Sequence, residues 1–154
     1  MLIEESYTIA LVIPCYNEES TISDVVLKFK EVLPNSKIYV YDNNSTDNTY
    51  TLAKESGAIV RKEEYQGKGN VIRRMFADIE ADIYLIVDGD MTYDPSAAQP
   101  MINKLINNNL DMVLCARSEV SNSAYRMGHK LGNYFFSAAI GMLFGKKVSD
   151  ILTG

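Results

Sequence analysis

The stretch Thr8-Ile-Ala-Leu-Val-Ile13 is apolar or β-branched at every position and stops at Pro14. Alternating polar and apolar residues would mark a strand with one wet face, whereas an unbroken run of this length marks a strand covered on both faces, as in the centre of a parallel sheet. A parallel sheet requires a crossover between neighbouring strands, and the chain that follows supplies helical patterns for that purpose. Residues 20–33 place Ile22, Val25, Val26, Phe29 and Val32/Leu33 at helical spacing, and Pro34-Asn35 ends the run. The pattern then repeats as a strand at Lys37–Tyr41, a polar turn from Asp42 to Thr46, a helix to about Ser56 capped by Gly57, and a short strand at Ala58–Arg61. After the Gly67-Lys68-Gly69 loop a helix is predicted through Val71, Ile72, Met75, Phe76 and Ile79, followed by a strand at Ile83–Val87. A helix near 96–108, a strand near 112–115 and a long C-terminal helix complete an alternating order. That order predicts an α/β fold, a mostly parallel sheet with helices on both faces.

With 154 residues and 47% hydrophobic content, one domain spanning 1–154 is expected. Cys15 and Cys115 have neither metal-ligand spacing nor the density of a disulfide framework, so reduced thiols in a cytoplasmic protein are expected. The acidic start MLIEESY lacks the basic opening of a secretory signal. Charge divides along the chain: residues 1–114 carry ten Lys/Arg against eighteen Asp/Glu, and residues 115–154 carry five against two. The basic end suits phosphates or an anionic membrane surface, while the acidic total argues against general nucleic-acid binding.

Ligands of open parallel sheets bind at the carboxyl ends of the strands, and the polar clusters of this chain fall there: Pro14–Glu18, Asp42–Ser45, Asp88–Asp90 and Arg117. Asp88-Gly-Asp90 follows a buried strand, and Gly89 lets the backbone turn tightly between two carboxylates. The pair suits Mg²⁺ or Mn²⁺, which prefers a few carboxylates completed by phosphate and water oxygens, although Asp and Gly also serve in plain turns. Asp42 can accept a hydrogen bond from a nucleobase ring N–H, and Asn43 and its neighbours offer further polar groups to a base or ribose. Ser45 or Thr46 before Asp47 is equally a helix-start signal. The glycines around Lys68 permit close backbone approach, so that Lys68 can meet a diphosphate. The segment is not a complete phosphate-binding loop.

Four ordered motifs, Ile13-Pro-Cys-Tyr-Asn-Glu-Glu19, Tyr41-Asp-Asn-Asn-Ser-Thr-Asp47, Gly67-Lys-Gly-Asn70 and Val87-Asp-Gly-Asp90, resemble those of family 2 glycosyltransferases. The nearest branch is the polyprenyl-phosphate, dolichol-phosphate-mannose-synthase-like one. The resemblance implies a GT-A fold, a nucleoside-diphosphate-sugar donor, a divalent metal held by Asp88 and Asp90, and inverting transfer to a polyprenyl phosphate. It places Pro14, Tyr16, Glu18 and Asp42 in the nucleoside pocket, Arg117 and Arg126 near the diphosphate, and Asp150 at the start of an acceptor-side segment. Catalytic weight then falls on Asp90, Arg117 and Asp150. The Asp-Asn-Asn turn departs from the more frequent Asp-Asp-Gly, which removes the acid usually given the ribose. Residues 131–144 are apolar on more than one face but too short to span a bilayer, and are expected as a buried or interfacial helix. The chain stops inside the acceptor-side segment, so a domain truncated at its C-terminus is expected, with a longer parent at the cytoplasmic face of a membrane. Transfer to a soluble sugar or protein hydroxyl, a non-catalytic nucleotide-binding module, and a sugar-phosphate nucleotidyltransferase are the competing readings. The last lacks its Gly-rich basic loop at residues 14–19.

Overall fold

The structure, a computed structural model, describes residues 7–115. The first strand, β1 (Ile9–Cys15), is buried at all positions but Pro14 and lies inside the sheet, as its unbroken apolar run predicts. It pairs in parallel with β2 (Lys37–Asp42), from Ala10 opposite Lys37 to Cys15 opposite Asp42, and on its other edge with β4 (Ile83–Ile86), from Ile9 opposite Ile83 to Val12 opposite Ile86. The strand β3 (Ile59–Lys62) pairs in parallel with β2, giving the order β3-β2-β1-β4. Successive crossovers run from β1 to β2 to β3 in one direction, and the next returns across the sheet to β4. The reversal opens a crevice between the carboxyl ends of β1 and β4, where open α/β sheets bind ligands.

Because side chains alternate along a strand, β1 serves two cores. Ile9, Leu11, Ile13 and Cys15 pack on one face with α1 (Ile22–Val32), α2 (Thr49–Glu55) and α4 (Ala98–Asn107), while Ala10 and Val12 pack on the other with Tyr39, Tyr41 and α3 (Lys68–Asp78). The buried side of α1 consists of Ile22, Val25, Val26 and Phe29, one stripe of a 3.6-residue repeat. Each such side chain contributes about 1.5–3 kcal/mol by leaving water.

Both α2 and α4 end in a left-handed residue. Gly57 has φ +84°, its N–H bonds to Lys54 O, and Ala58 N–H reaches Ala53 O. Asn109 repeats the arrangement with φ +50°, so orphan carbonyls at both helix ends are satisfied. A 3-10 turn at Pro95–Ala97 leads into α4, and its Asp94 cap accepts the Ser96 N–H at 3.0 Å. At the opposite end of the sheet a small clamp fixes β4 to β1: the Asp82 carboxylate accepts from Thr8 N–H at 2.7 Å and Thr8 Oγ1 at 2.6 Å.

Phe76 lies off the buried face of α3, 55% exposed, and meets Tyr84 edge-on. Two local expectations are corrected. Residues 112–115 form no strand: they pair with no strand among the described residues, and Met112 and Leu114 are exposed. Apolar character alone does not make a strand without a partner edge. The helix-start signal at Ser45 or Thr46 is also not used, because α2 begins at Thr49 and Asp47 accepts the Thr49 N–H. The sheet and its helices belong to one compact unit, Met1–Asp111, and residues 112–115 belong to a second that runs to Gly154. Among the described residues no helix is long and apolar enough to cross a membrane.

Candidate functional site

At the crevice between β1 and β4 lies an open cleft of about 300 Å³. The end of β1 contributes Pro14, Cys15, Tyr16 and Glu18, the end of β2 contributes Asn43, the start of α3 contributes Lys68 and Val71, and the loop after β4 contributes Asp88, Gly89 and Asp90. Seven of these residues are expected from the sequence: Pro14, Tyr16, Glu18, Asn43, Lys68, Asp88 and Asp90. Asp42 does not line the cleft. It is buried at the last position of β2, where Oδ1 accepts the Ser45 N–H at 3.1 Å. Arg117, Arg126, Asp150 and the expected helix 131–144 lie outside the described residues.

The acids of the cleft are held differently from one another. Asp88 Oδ1 pairs with Lys68 Nζ at 2.6 Å, and Asp88 Oδ2 accepts from the Tyr93 hydroxyl at 3.4 Å. Asp90 is exposed and its Oδ1 accepts from Thr92 N–H at 3.0 Å and Thr92 Oγ1 at 2.7 Å, across a left-handed Met91 with φ +64°. Burial, followed by the nearby Asp90 carboxylate and then Asp88 after the opposing hydrogen bond from Thr21, raises the Glu18 carboxyl above its ordinary range. Burial likewise pushes the Cys15 thiol up, with Glu18, Asp42 and Asp88 adding to the effect, so that Cys15 stays a neutral packing group.

Gly89 explains how the two aspartates come so near β1. A Cβ built there would stand 2.8 Å from Cys15 Sγ and 3.4 Å from Glu18 Cγ, so any side chain would push the loop away. Its carbonyl accepts from Thr21 Oγ1 at 2.6 Å, a bond that ties the loop to the start of α1. Cys15 and Thr21 are contributors the sequence reading misses. Thr21 stands just before a helical pattern, where capping would be the natural role, and its side chain instead serves a loop 68 residues away.

Asn43 is occupied by the protein itself. Its side-chain N–H groups donate to Glu63 O at 2.8 Å and Tyr65 O at 2.9 Å, and its carbonyl oxygen accepts from Gly67 N–H at 2.6 Å. Three bonds thus position the segment that delivers Lys68. The loops after β1 and β2 are also fastened reciprocally. Asn17 N–H donates to Ser45 Oγ at 3.0 Å, Glu18 N–H to Thr49 Oγ1 at 2.8 Å, and Glu19 N–H to Asp47 Oδ2 at 3.1 Å. In return Thr46 N–H donates to Asn17 Oδ1 at 2.8 Å and Asn48 N–H to Glu19 Oε2 at 3.0 Å. Burial alone would lift the Asp47 carboxyl, but the bonds from Thr49 and the Glu19 N–H hold it below its ordinary value.

The donor set is chemically suited to a hard divalent cation. Carboxylate oxygens from Asp88 and Asp90 face the cleft, and one of them already holds a cation, the Lys68 ammonium. Among the described residues no three His, Cys, Asp or Glu side chains converge to hold a metal alone. A cation here would complete its shell with ligand and water oxygens, the habit of Mg²⁺ and Mn²⁺.

Residues 10–153 match the family model described as Glycosyl transferase family 2. Over 126 residues the sequence is 53% identical to Protein RfbJ of Shigella flexneri, which covers 81% of this chain and 98% of that protein. It is 24% identical over 135 residues to a dolichol-phosphate mannosyltransferase of Pyrococcus furiosus, covering 83% of this chain and 36% of that protein. Among solved structures, glucosyl-3-phosphoglycerate synthase from Mycobacterium tuberculosis, in complex with Mn²⁺, uridine diphosphate and phosphoglyceric acid, superposes with a TM-score of 0.59 and 28% identity. That match covers 67% of this chain and 40% of the other. The chain therefore spans nearly all of the first relative and less than half of the other two.

Proposed function

This chain belongs to glycosyl transferase family 2, and from that premise we propose that its cleft binds a nucleoside-diphosphate sugar with Mg²⁺ or Mn²⁺ for inverting transfer of the sugar to a polyprenyl phosphate. The observation that carries the reading is the gathering of Glu18, Lys68, Asp88 and Asp90 from separate segments at the switch point of one parallel sheet. Among the described residues of the cleft Lys68 stands with three acids, a poor set for a bare anion and a suitable one for an anion that arrives with its own divalent cation.

As the anomeric carbon leaves the diphosphate, negative charge grows on the departing oxygen. Preorganised positive groups stabilise that charge without proton transfer. In this reading Lys68 supplies one, and Arg117 and Arg126 are assigned as further phosphate contacts by their motifs. A bound divalent cation adds Lewis-acid stabilisation of the same diphosphate. Tyr16, 47% exposed on the rim, and Pro14 offer apolar surface to the nucleoside, while Asp42, buried at the end of β2 and outside the cleft lining, is assigned to the base by its motif alone. A lipid phosphate, with a second pKa of about 6, is largely ionised at neutral pH and needs no base, so Asp150 is assigned to positioning the acceptor. This reading carries a location at the cytoplasmic face of a membrane.

The likeness to the dolichol-phosphate mannosyltransferase supports the lipid acceptor. The solved structure holding phosphoglyceric acid favours a second reading, a soluble acidic acceptor. Calorimetry with UDP and GDP, with and without Mn²⁺, tests the donor site. Metal-dependent binding of one of them is expected, and its loss of metal dependence in Asp90→Ala identifies the acid pair. Binding indifferent to Mn²⁺ refutes the metal assignment. For the acceptor, a labelled-sugar assay compares a short polyprenyl phosphate with 3-phosphoglycerate, and transfer only to the latter overturns the lipid reading.

A further inference from the structure

We infer that Lys68 is a displaceable counter-ion: its ammonium occupies Asp88 until a divalent cation claims that carboxylate, and the freed ammonium then pairs with the donor's diphosphate. The inference rests on the donor and metal reading above and adds an order of events to it. The ion pair is direct, 2.6 Å between Lys68 Nζ and Asp88 Oδ1, yet both side chains reach solvent, 43% and 23% exposed. An ion pair this open is weak and exchanges readily. It is not a buried structural bridge whose rupture would strand a charge.

Two features of α3 mark the pairing as provisional. Lys68 is its first residue, and the amino end of an 11-residue helix carries partial positive charge, which disfavours an ammonium and favours an anion. The first turn of α3 holds no acid, and the Lys68 ammonium takes its carboxylate from Asp88 in the loop after β4. The same helix end welcomes a diphosphate once Asp88 is taken. The Lys68 stem is flexible and its side chain is 43% exposed, so the ammonium can be re-aimed through solvent.

Asp88 cannot neutralise an ammonium and a doubly charged cation equally well, because the two would repel at contact distance. Asp90 is not blocked in this way, its Oδ1 being bonded to Thr92. Cation and nucleotide binding are therefore linked. Cation binding alone must evict Lys68 into water, whereas with a diphosphate present the evicted ammonium gains a partner. Linkage is reciprocal, so each ligand strengthens the other.

The test is a Mn²⁺ titration of the 154-residue chain, followed by electron paramagnetic resonance, for wild type, Lys68→Met, Lys68→Gln, Lys68→Arg and Asp88→Asn, without nucleotide and with UDP or GDP. Without nucleotide, Lys68→Met and Lys68→Gln should bind Mn²⁺ about two- to fivefold more tightly than wild type, and Lys68→Arg about as wild type. With Mn²⁺ saturating, the two neutral variants should bind the nucleotide about tenfold more weakly. Unchanged or weaker nucleotide-free Mn²⁺ affinity in both neutral variants, with Asp88→Asn still abolishing it, overturns the counter-ion role and leaves the metal site standing. Absence of Mn²⁺ binding in wild type and in every variant, nucleotide present or not, removes the metal site and the inference with it.

Discussion

Gly89 separates two carboxylates by a residue that has no room for a side chain. Replacing it with alanine drives a methyl group into Cys15 Sγ, 2.8 Å away, and Cys15 is buried and too short to swing aside. Overpacking of this kind costs about 1–3 kcal/mol. Gly89→Ala should therefore lower stability by that amount and weaken Mn²⁺-dependent nucleotide binding, and Cys15→Ala should restore part of both. Additive losses in the double-mutant cycle, measured by denaturant unfolding and calorimetry, would show that the two positions do not compete for the same space. Asp42 invites a different substitution. Since its Oδ1 closes the turn by accepting Ser45 N–H, Asp42→Asn keeps that bond while removing the charge proposed for the base. Nucleotide affinity should fall by about 1.5–3 kcal/mol, with pyrophosphate binding unchanged. Equal losses for both ligands would take Asp42 out of the base site. The acid pair is readable in the sequence because two carboxylates flank a glycine after an apolar strand. Cys15 and Thr21 are not, since their roles arise from a loop that meets them only in three dimensions. Asn43 is half-legible: its polarity at a strand end marks a rim position, but its consumption by the backbone of residues 63–67 depends on where that segment folds back.

Among the elements, β4 is the one whose placement the site depends on most, for it delivers Asp88 and Asp90. Its amino end is fixed to β1 by Asp82, whose carboxyl is held below its ordinary 3.8 by the side-chain and then the backbone hydrogen bonds from Thr8. A carboxyl depressed in the folded state contributes stability that is present above the unfolded pKa and disappears as pH falls through the folded one. Asp82→Ala should thus lower Tm at pH 7, and the deficit should shrink as pH falls through the depressed folded value of the wild-type carboxyl. A Tm difference that stays constant across this range would assign the loss to packing rather than to the ionised clamp. The sequence announces β1, β2 and the helices because burial repeats at period one, or at 3.6 residues, along segments long enough to register. It misplaces the strand at 112–115 for a physical reason. An apolar residue needs a facing surface, and periodicity states only that one would be accepted.

For the molecule as a whole, the order β3-β2-β1-β4 places the first strand inside the sheet and puts chemistry where the chain reverses direction across it. That much follows from alternating elements and the rules of parallel crossovers. The reciprocal fastening of the loops after β1 and β2 does not, because each bond links residues about thirty apart whose polarity looks like ordinary turn composition. Its consequence concerns how the rim opens. Five amides in two loops each depend on an acceptor from the other, so neither loop can unfasten alone, and solvent deuterium should enter both in a single cooperative opening. Thr49→Val, which directly deprives only the Glu18 amide of its acceptor, should then accelerate exchange at Thr46 and Asn48 also, as read by nuclear magnetic resonance. Acceleration confined to Glu18 would mean two independent loops. If the rim is one latch, a nucleotide that touches only the β1 side slows exchange on the β2 side too, and the protein reports occupancy of its cleft at amides the ligand never reaches.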